Sequence, residues 1–140
     1  MSTAKPSKAL HVSLWIVQLL LAAMFLMAGF MKLSQPIAQL ATMLPWASQV
    51  PAALVRFIGL AEVLGGLGLV LPSLLRIQPR LTGWAAVGLV LVMVLAAAFH
   101  LSRGESPMVG PNLFIALLAA FVAWGRFKAA PIQPKNTLIA

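Results

Sequence analysis

The sequence predicts an all-α fold: an integral membrane four-helix bundle, N-in/C-in, with a short amphipathic helix in the first outer loop. Three observations predict it. The 140 residues are 61% hydrophobic and 9% charged, with a mean hydropathy of +0.99, whereas an ordinary soluble domain carries about 25% charged residues. The few charges leave four apolar runs, 12–31, 57–75, 81–99 and 107–125, broken only by Glu62. Each matches the roughly 20 helical residues that cross a ~30 Å hydrocarbon core. Finally, Lys and Arg are shared unequally between alternate ends of these runs, as cytoplasmic and external loops are.

The same numbers exclude a water-soluble enzyme, because so much apolar surface has too little polar surface to cover it. The net charge of +8 would suggest nucleic acid in a soluble chain. Here it reads as cationic loops facing membrane lipid, with no nucleic-acid partner. There is no cysteine, so the chain forms no disulfide and offers no thiolate.

Taken in order, residues 1–11 form a cytoplasmic tail whose Lys5 and Lys8 precede the first span. A basic start before an apolar run also fits a signal peptide, but this run exceeds the usual 7–15-residue signal core and reads as an anchor. Lys32 to Arg56 is the long outer loop. Within it Ile37, Leu40, Ala41 and Leu44 recur at helical spacing between Pro36 and Pro45, which predicts the short amphipathic helix lying on the outer surface. Arg76 to Arg80, with Pro79, is a tight inner turn, and His100 to Ser106 a short outer one. Pro107, Gly110 and Pro111 predict an irregular start to the fourth span, with regular helix from near Asn112. The bundle occupies 12–127 as a single domain. Residues 128–140, with Pro131 and Pro134, read as a flexible cytoplasmic tail.

With the N-terminus inside, Lys5, Lys8, Arg76, Arg80, Arg126, Lys128 and Lys135 are cytoplasmic, against Lys32, Arg56 and Arg103 outside. Trp15, Trp84 and Trp124 fall at the cytoplasmic ends of their spans, as an interfacial aromatic belt does. Within lipid, helices associate through small residues and interhelical hydrogen bonds. The first span offers the seam Gln18, Ala22, Phe25, Gly29, Lys32, whose spacing keeps one face. The second offers Gly59, Gly65, Gly66 and Gly68, the third Gly83, Gly88, Ala96 and Ala97, and the fourth Ala116, Ala119, Ala120 and Ala123.

Ionisable groups within a span are costly and mark function by default. Glu62 lies six residues past Arg56, about 9 Å along a helix, on a face shared with Gly59, Gly65 and Gly66. A carboxyl there points toward other helices and is either protonated or paired with a cation. Lys32, Glu62, His100 and Asn112 are the candidate ligand-binding or proton-relay residues, with Arg56 and Arg103 as supporting charges. All belong to the outer half, which predicts a polar pocket opening outward above an apolar floor. Each also has a plain structural reading. Lys32 and Arg103 can snorkel to headgroups, His100 can serve a turn, Asn112 can start a helix, and Glu62 can form a bundle-locking ion pair with Lys32 or Arg56. Two separated His and two Glu make no metal ligand set. No phosphate loop or Ser-His-Asp set is present, and no catalytic residue is identified.

The runs Phe25-Leu-Met-Ala-Gly-Phe-Met-Lys-Leu33 and Arg56-Phe-Ile-Gly-Leu-Ala-Glu-Val-Leu-Gly-Gly-Leu-Gly-Leu-Val-Leu-Pro72, with His100-Leu101 and Gly125-Arg126, resemble the DoxX-like family of small four-span bacterial membrane proteins. The resemblance spans roughly 12–127. It implies a multi-pass protein of the bacterial cytoplasmic (inner) membrane and, for function, a subunit or partner of a membrane redox system handling sulfur or thiols. Lacking cysteine, this chain would need a partner or a bound quinone for such chemistry. Two functional expectations result. In one, the outer pocket holds a quinone or another small lipophilic molecule. In the other, the chain is a non-catalytic assembly or chaperone-like membrane protein, alone or as a homo-oligomer, with a structural Glu62 pair. A transporter finds little support, since no span is internally broken.

Overall fold

Ser7 starts the first helix: its Oγ accepts from the Leu10 amide at 3.1 Å, meeting one of the donors that a helix start leaves unpaired. From there the computed structural model, which describes residues 4–135, runs through α1 (Lys8–Ser34), α2 (Ile37–Met43), α3 (Ala52–Leu75), α4 (Arg80–Ser102) and α5 (Val109–Trp124). Four stretches are long and apolar enough to cross a membrane: α1, α3, α4, and α5 together with its flanking turns, Ser106–Ala129. No strand occurs among the described residues. The first three residues of the expected N-terminal tail, and 136–140 of the expected C-terminal tail, lie outside the description.

Prolines set most of the boundaries. Pro36 stops α1, because the residue before a proline is pushed out of helical geometry, and Pro51 and Pro79 precede α3 and α4. At Arg76 the chain turns out of α3 with φ 57°, and Gln78 follows at φ 47°. Pro72 lies inside α3 without ending it, as prolines do in lipid-embedded helices. The fourth span starts earlier than its prolines suggest. A 3₁₀ turn, Ser106–Met108, leads directly into α5 at Val109. Pro107 and Pro111 fall in first turns, where an amide proton has no helical partner to lose.

The helices form a ring. α1 packs most extensively on α3 and α4 on α5, the α3–α4 contact joins the pairs, and a thinner α1–α5 contact closes it. The expected seam of α1 is buried throughout: Gln18, Ala22, Phe25, Gly29 and Lys32, together with Leu14 and Leu21. It faces Val55, Gly59, Glu62, Gly66, Leu69 and Ser73 of α3, whose alternating steps of four and three follow a coiled-coil-like seam. The apolar core gathers Phe25, Leu69, Leu89, Ala119 and Val122 between the helices. Leucines and phenylalanines such as Leu20, Phe30, Phe57, Leu64 and Leu117 cover the outside, where lipid replaces water.

The expected short helix is α2, and its apolar face packs on the protein. Its Leu40 is fully buried with Ala47 and Val55, against Ile37, Leu44 and Trp46. Part of the apolar face predicted for lipid thus meets the loop and the start of α3 instead. At the opposite end, part of the tail expected to be flexible is tied down. Arg76 donates to the Gln133 and Pro134 carbonyls, and the Lys135 amide donates to the Arg76 carbonyl at 2.9 Å.

Gly29 and Gly59 set the closest helix approach. A Cβ on Gly29 would sit 2.6 Å from the Gly59 carbonyl oxygen and 2.9 Å from the Val63 amide nitrogen, so only backbone movement could make room. Gly88 is the opposite case, with nothing within 4 Å. Gly29→Ala should therefore cost about 1–3 kcal/mol, as overpacking does. Gly88→Ala should be neutral, or stabilise by up to about 1 kcal/mol through helix propensity. Thermal unfolding in one detergent checks both, and equal midpoints for the two variants would contradict the close approach.

Candidate functional site

The glycine contact brings the intramembrane charges together. A helical Cα–Cβ bond tilts toward its own N-terminus. On antiparallel α1 and α3, Lys32 and Glu62 lie one turn beyond Gly29 and Gly59 respectively, so their side chains lean back toward the same crossing. Lys32 Nζ donates to Glu62 Oε2 at 2.9 Å and to Oε1 at 3.2 Å. Lys32 is 7% exposed and Glu62 5%. The ammonium thus serves both carboxylate oxygens in a closed seam.

Arg56, the other expected partner for Glu62, does different work. Its Nη1 donates to the Lys32 carbonyl and, at 2.8 Å, to the Gln35 carbonyl. It caps the end of α1, where unpaired carbonyls and the helix dipole favour a cation. Through the Lys32 backbone it also steadies the residue that meets Glu62.

A second charged group closes the α4–α5 turn. His100 Nδ1 lies 2.6 Å from Glu105 Oε2, and Arg103 Nε donates to Glu105 Oε1 at 3.0 Å. An ionised carboxylate only accepts, so His100 Nδ1 carries the proton of that bond. Arg103 also stands over the Phe99 ring, 5.3 Å from its centroid, and Trp46 meets that ring edge-on. Asn112, at the start of α5, has a buried Nδ2 without a hydrogen-bond partner.

The six sequence candidates therefore gather at one end of the bundle but form two groups plus Asn112: Lys32, Glu62 and Arg56 in one, His100 and Arg103 in the other. Among the described residues no side-chain hydrogen bond links Lys32–Glu62 to His100, Arg103 or Asn112. Two surface cavities lie elsewhere: an apolar groove of about 260 Å³ between α3 and α4, and one of about 330 Å³ beside Pro79 and Pro131. No metal-holding group of His, Cys, Asp or Glu occurs among the described residues.

The apolar floor expected at the other end is replaced by a polar cluster. Gln18, Ser73, Thr82 and Arg126 are all buried there. Ser73 and Thr82 hydroxyls meet at 2.7 Å across α3 and α4. Gln18 Nε2 donates to the Leu69 carbonyl, and Arg126 Nε donates to Gln18 Oε1, both at 2.6 Å. In the sequence Arg126 reads as the charge that closes the fourth span. It turns inward because α5 ends in a π-helical turn, Gly125–Ala129, which no residue pattern announces. The signal that could have found the cluster was Gln18, already on the buried seam and in need of a partner.

The Glu105 carboxyl is held below its ordinary value of 4.5, chiefly by the His100 hydrogen bond and further by Arg103, with desolvation opposing. A lowered folded-state value means that the unfolded chain takes up the proton first. The turn's contribution to stability is thus complete above about pH 4.5 and is lost as pH falls through the folded value. A carboxyl NMR titration should place the Glu105 midpoint below 4.5 in the intact protein and move it upward in His100→Gln. An unchanged midpoint would dissociate the two groups.

Residues 16–122 match the DoxX-like family. No curated protein and no solved structure matches the chain. The matched stretch contains the glycine crossing, the Lys32–Glu62 pair, the His100–Arg103–Glu105 turn and Asn112. The chain is a small multi-pass membrane protein and belongs to the DoxX-like family.

Proposed function

We propose that the protein is a non-catalytic accessory subunit, an assembly partner within a membrane redox system that handles sulfur or thiols. The observation that carries the reading is the closed Lys32–Glu62 pair. Both carboxylate oxygens accept from one ammonium inside a seam held by glycine contact. A carboxylate so engaged locks α1 to α3 and is ill placed to shuttle protons to a ligand. The redox assignment extends the family membership. The chain has no cysteine, so a persulfide or disulfide would reside on the partner.

A second reading rests on Asn112. Its unpartnered Nδ2 and the neighbouring α4–α5 turn with His100 suit the carbonyl oxygen of a quinone or another small lipophilic molecule. Here Lys32 and Glu62 support the site from the adjoining seam.

The two readings separate on one pair of variants. Removing one member of a buried ion pair costs roughly 3–5 kcal/mol, whereas replacing both with apolar residues of similar volume is close to neutral. Under the accessory reading Glu62→Gln lowers thermal stability, and Lys32→Met/Glu62→Leu restores most of it together with retention of partner proteins. A double variant that is stable but has lost stoichiometric quinone binding found in the native protein would favour the second reading instead.

We also propose the N-in/C-in orientation in a bacterial inner membrane, supported by the Lys and Arg asymmetry. The cysteine-free chain makes this directly measurable. In intact cells an impermeant thiol reagent should label Ser34→Cys and Ser102→Cys but not Ser7→Cys. The reverse pattern would invert the topology.

A further inference from the structure

Arg126 is a buried cation with no anion among the described residues. It is 3% exposed, and its acceptors are all neutral: Gln18 Oε1 at 2.6 Å, the Ala130 carbonyl at 3.0 Å and His11 Nδ1 at 3.2 Å. Its Nη2 has no partner among the described residues. The chain has only two acidic side chains, and both are committed elsewhere, Glu62 to Lys32 and Glu105 to His100 and Arg103. A guanidinium carries five N–H donors. Nε and Nη1 use theirs on the three acceptors, which leaves the two on Nη2. A buried charge is ordinarily paired, so an unclaimed donor edge on a buried guanidinium, with no anion beside it among the described residues, calls for one.

The surroundings say which kind. Arg126 stands two residues beyond Trp124, about 3 Å along the helix, and its guanidinium lies 5.4 Å from the Trp15 ring centroid. Tryptophans at span ends mark the headgroup level of a bilayer. Arg76, Arg80 and Lys128 belong to the same end of the bundle and raise the local positive potential. Because arginine has no lone pair, His11 accepts through Nδ1 and remains an uncharged wall of the site. The π-helical turn Gly125–Ala129 is itself a departure often found at functional sites. It aims Arg126 inward while the Ala130 carbonyl fixes the guanidinium plane.

We propose that Arg126, framed by His11, Gln18 and Trp15, is a binding site for a phosphoryl oxyanion at the headgroup level, taken from an anionic phospholipid or from free phosphate. The ligand supplies the negative charge that the bundle lacks; Nη2 is covered in the ligand-free protein, so a phosphoryl oxygen reaches it by displacing the groups over it.

The test uses the full chain, purified in detergent and stripped of lipid. Phosphatidylglycerol, phosphatidylcholine and inorganic phosphate are titrated separately, with native mass spectrometry reading bound lipid and ¹⁵N NMR of the arginine Nε groups reading all three. The wild-type protein should bind one phosphatidylglycerol, with a shift of the Arg126 Nε resonance. Arg126→Gln should weaken binding at least about tenfold, the loss of one charge-assisted contact, and Lys128→Gln by far less. Phosphatidylglycerol binding well below the phosphate concentration identifies lipid as the source, and equal potency identifies the free ion. An Arg126 signal that no probe moves, or equal binding by wild type and Arg126→Gln, overturns the site. The NMR arm needs no variant, so it decides even if Arg126→Gln fails to fold.

Discussion

The bundle depends on one constraint, the backbone contact of α1 and α3 at Gly29 and Gly59. Helices in lipid gain little from leaving it, so their association relies on close packing and polar contacts. The glycines provide the first and, by their geometry, the second. Without side chains at the crossing, the helices come near enough for Lys32 and Glu62, leaning toward one another, to share two hydrogen bonds. An ammonium and a carboxylate that would each be costly alone in hydrocarbon become a fastening that is met only in this register. Arg56, by capping the α1 carbonyls beside Lys32, extends the same seam to the end of the helix.

The two ends of the bundle then have different chemical characters. At the Lys32 end every acid has a cation, and Leu40 of α2 is buried with Ala47 and Val55. At the Arg126 end the polar groups are buried too, but they add up to an uncompensated positive charge. The first arrangement suits a lock. The second suits recognition of something negative at the membrane boundary. A protein that holds its own helices firmly while presenting charge at one boundary fits an accessory membrane component.

Much of the fold was legible in the residues. The Gln18–Lys32 seam followed from spacing alone, because a buried stripe must return every three or four residues. Glu62 was legible as buried because its helical neighbours are glycines. The grouping of the outer charges was less so. Depth along a helix places Lys32, Arg56, His100 and Asn112 near one level, but it does not say which faces meet around the ring. Arg56 and Glu62 share a helix, yet Arg56 turns to the carbonyls of α1 and leaves Glu62 to Lys32. α2 was legible by its period, but the burial of its Leu40 against protein was not, since an amphipathic face looks the same whether it meets lipid or protein.

By itself the sequence determined the membrane setting, the four spans, the buried face of α1 and the need of Glu62 for a proton or a cation. These follow from composition and local periodicity, which act within one helix at a time. Only the tertiary structure decided the partner of Glu62, the packing of Leu40 of α2 with Ala47 and Val55 and the inward turn of Arg126. Those depend on how helices meet, and the π-helical turn that rotates Arg126 into the bundle is a backbone choice made by packing rather than by any single residue.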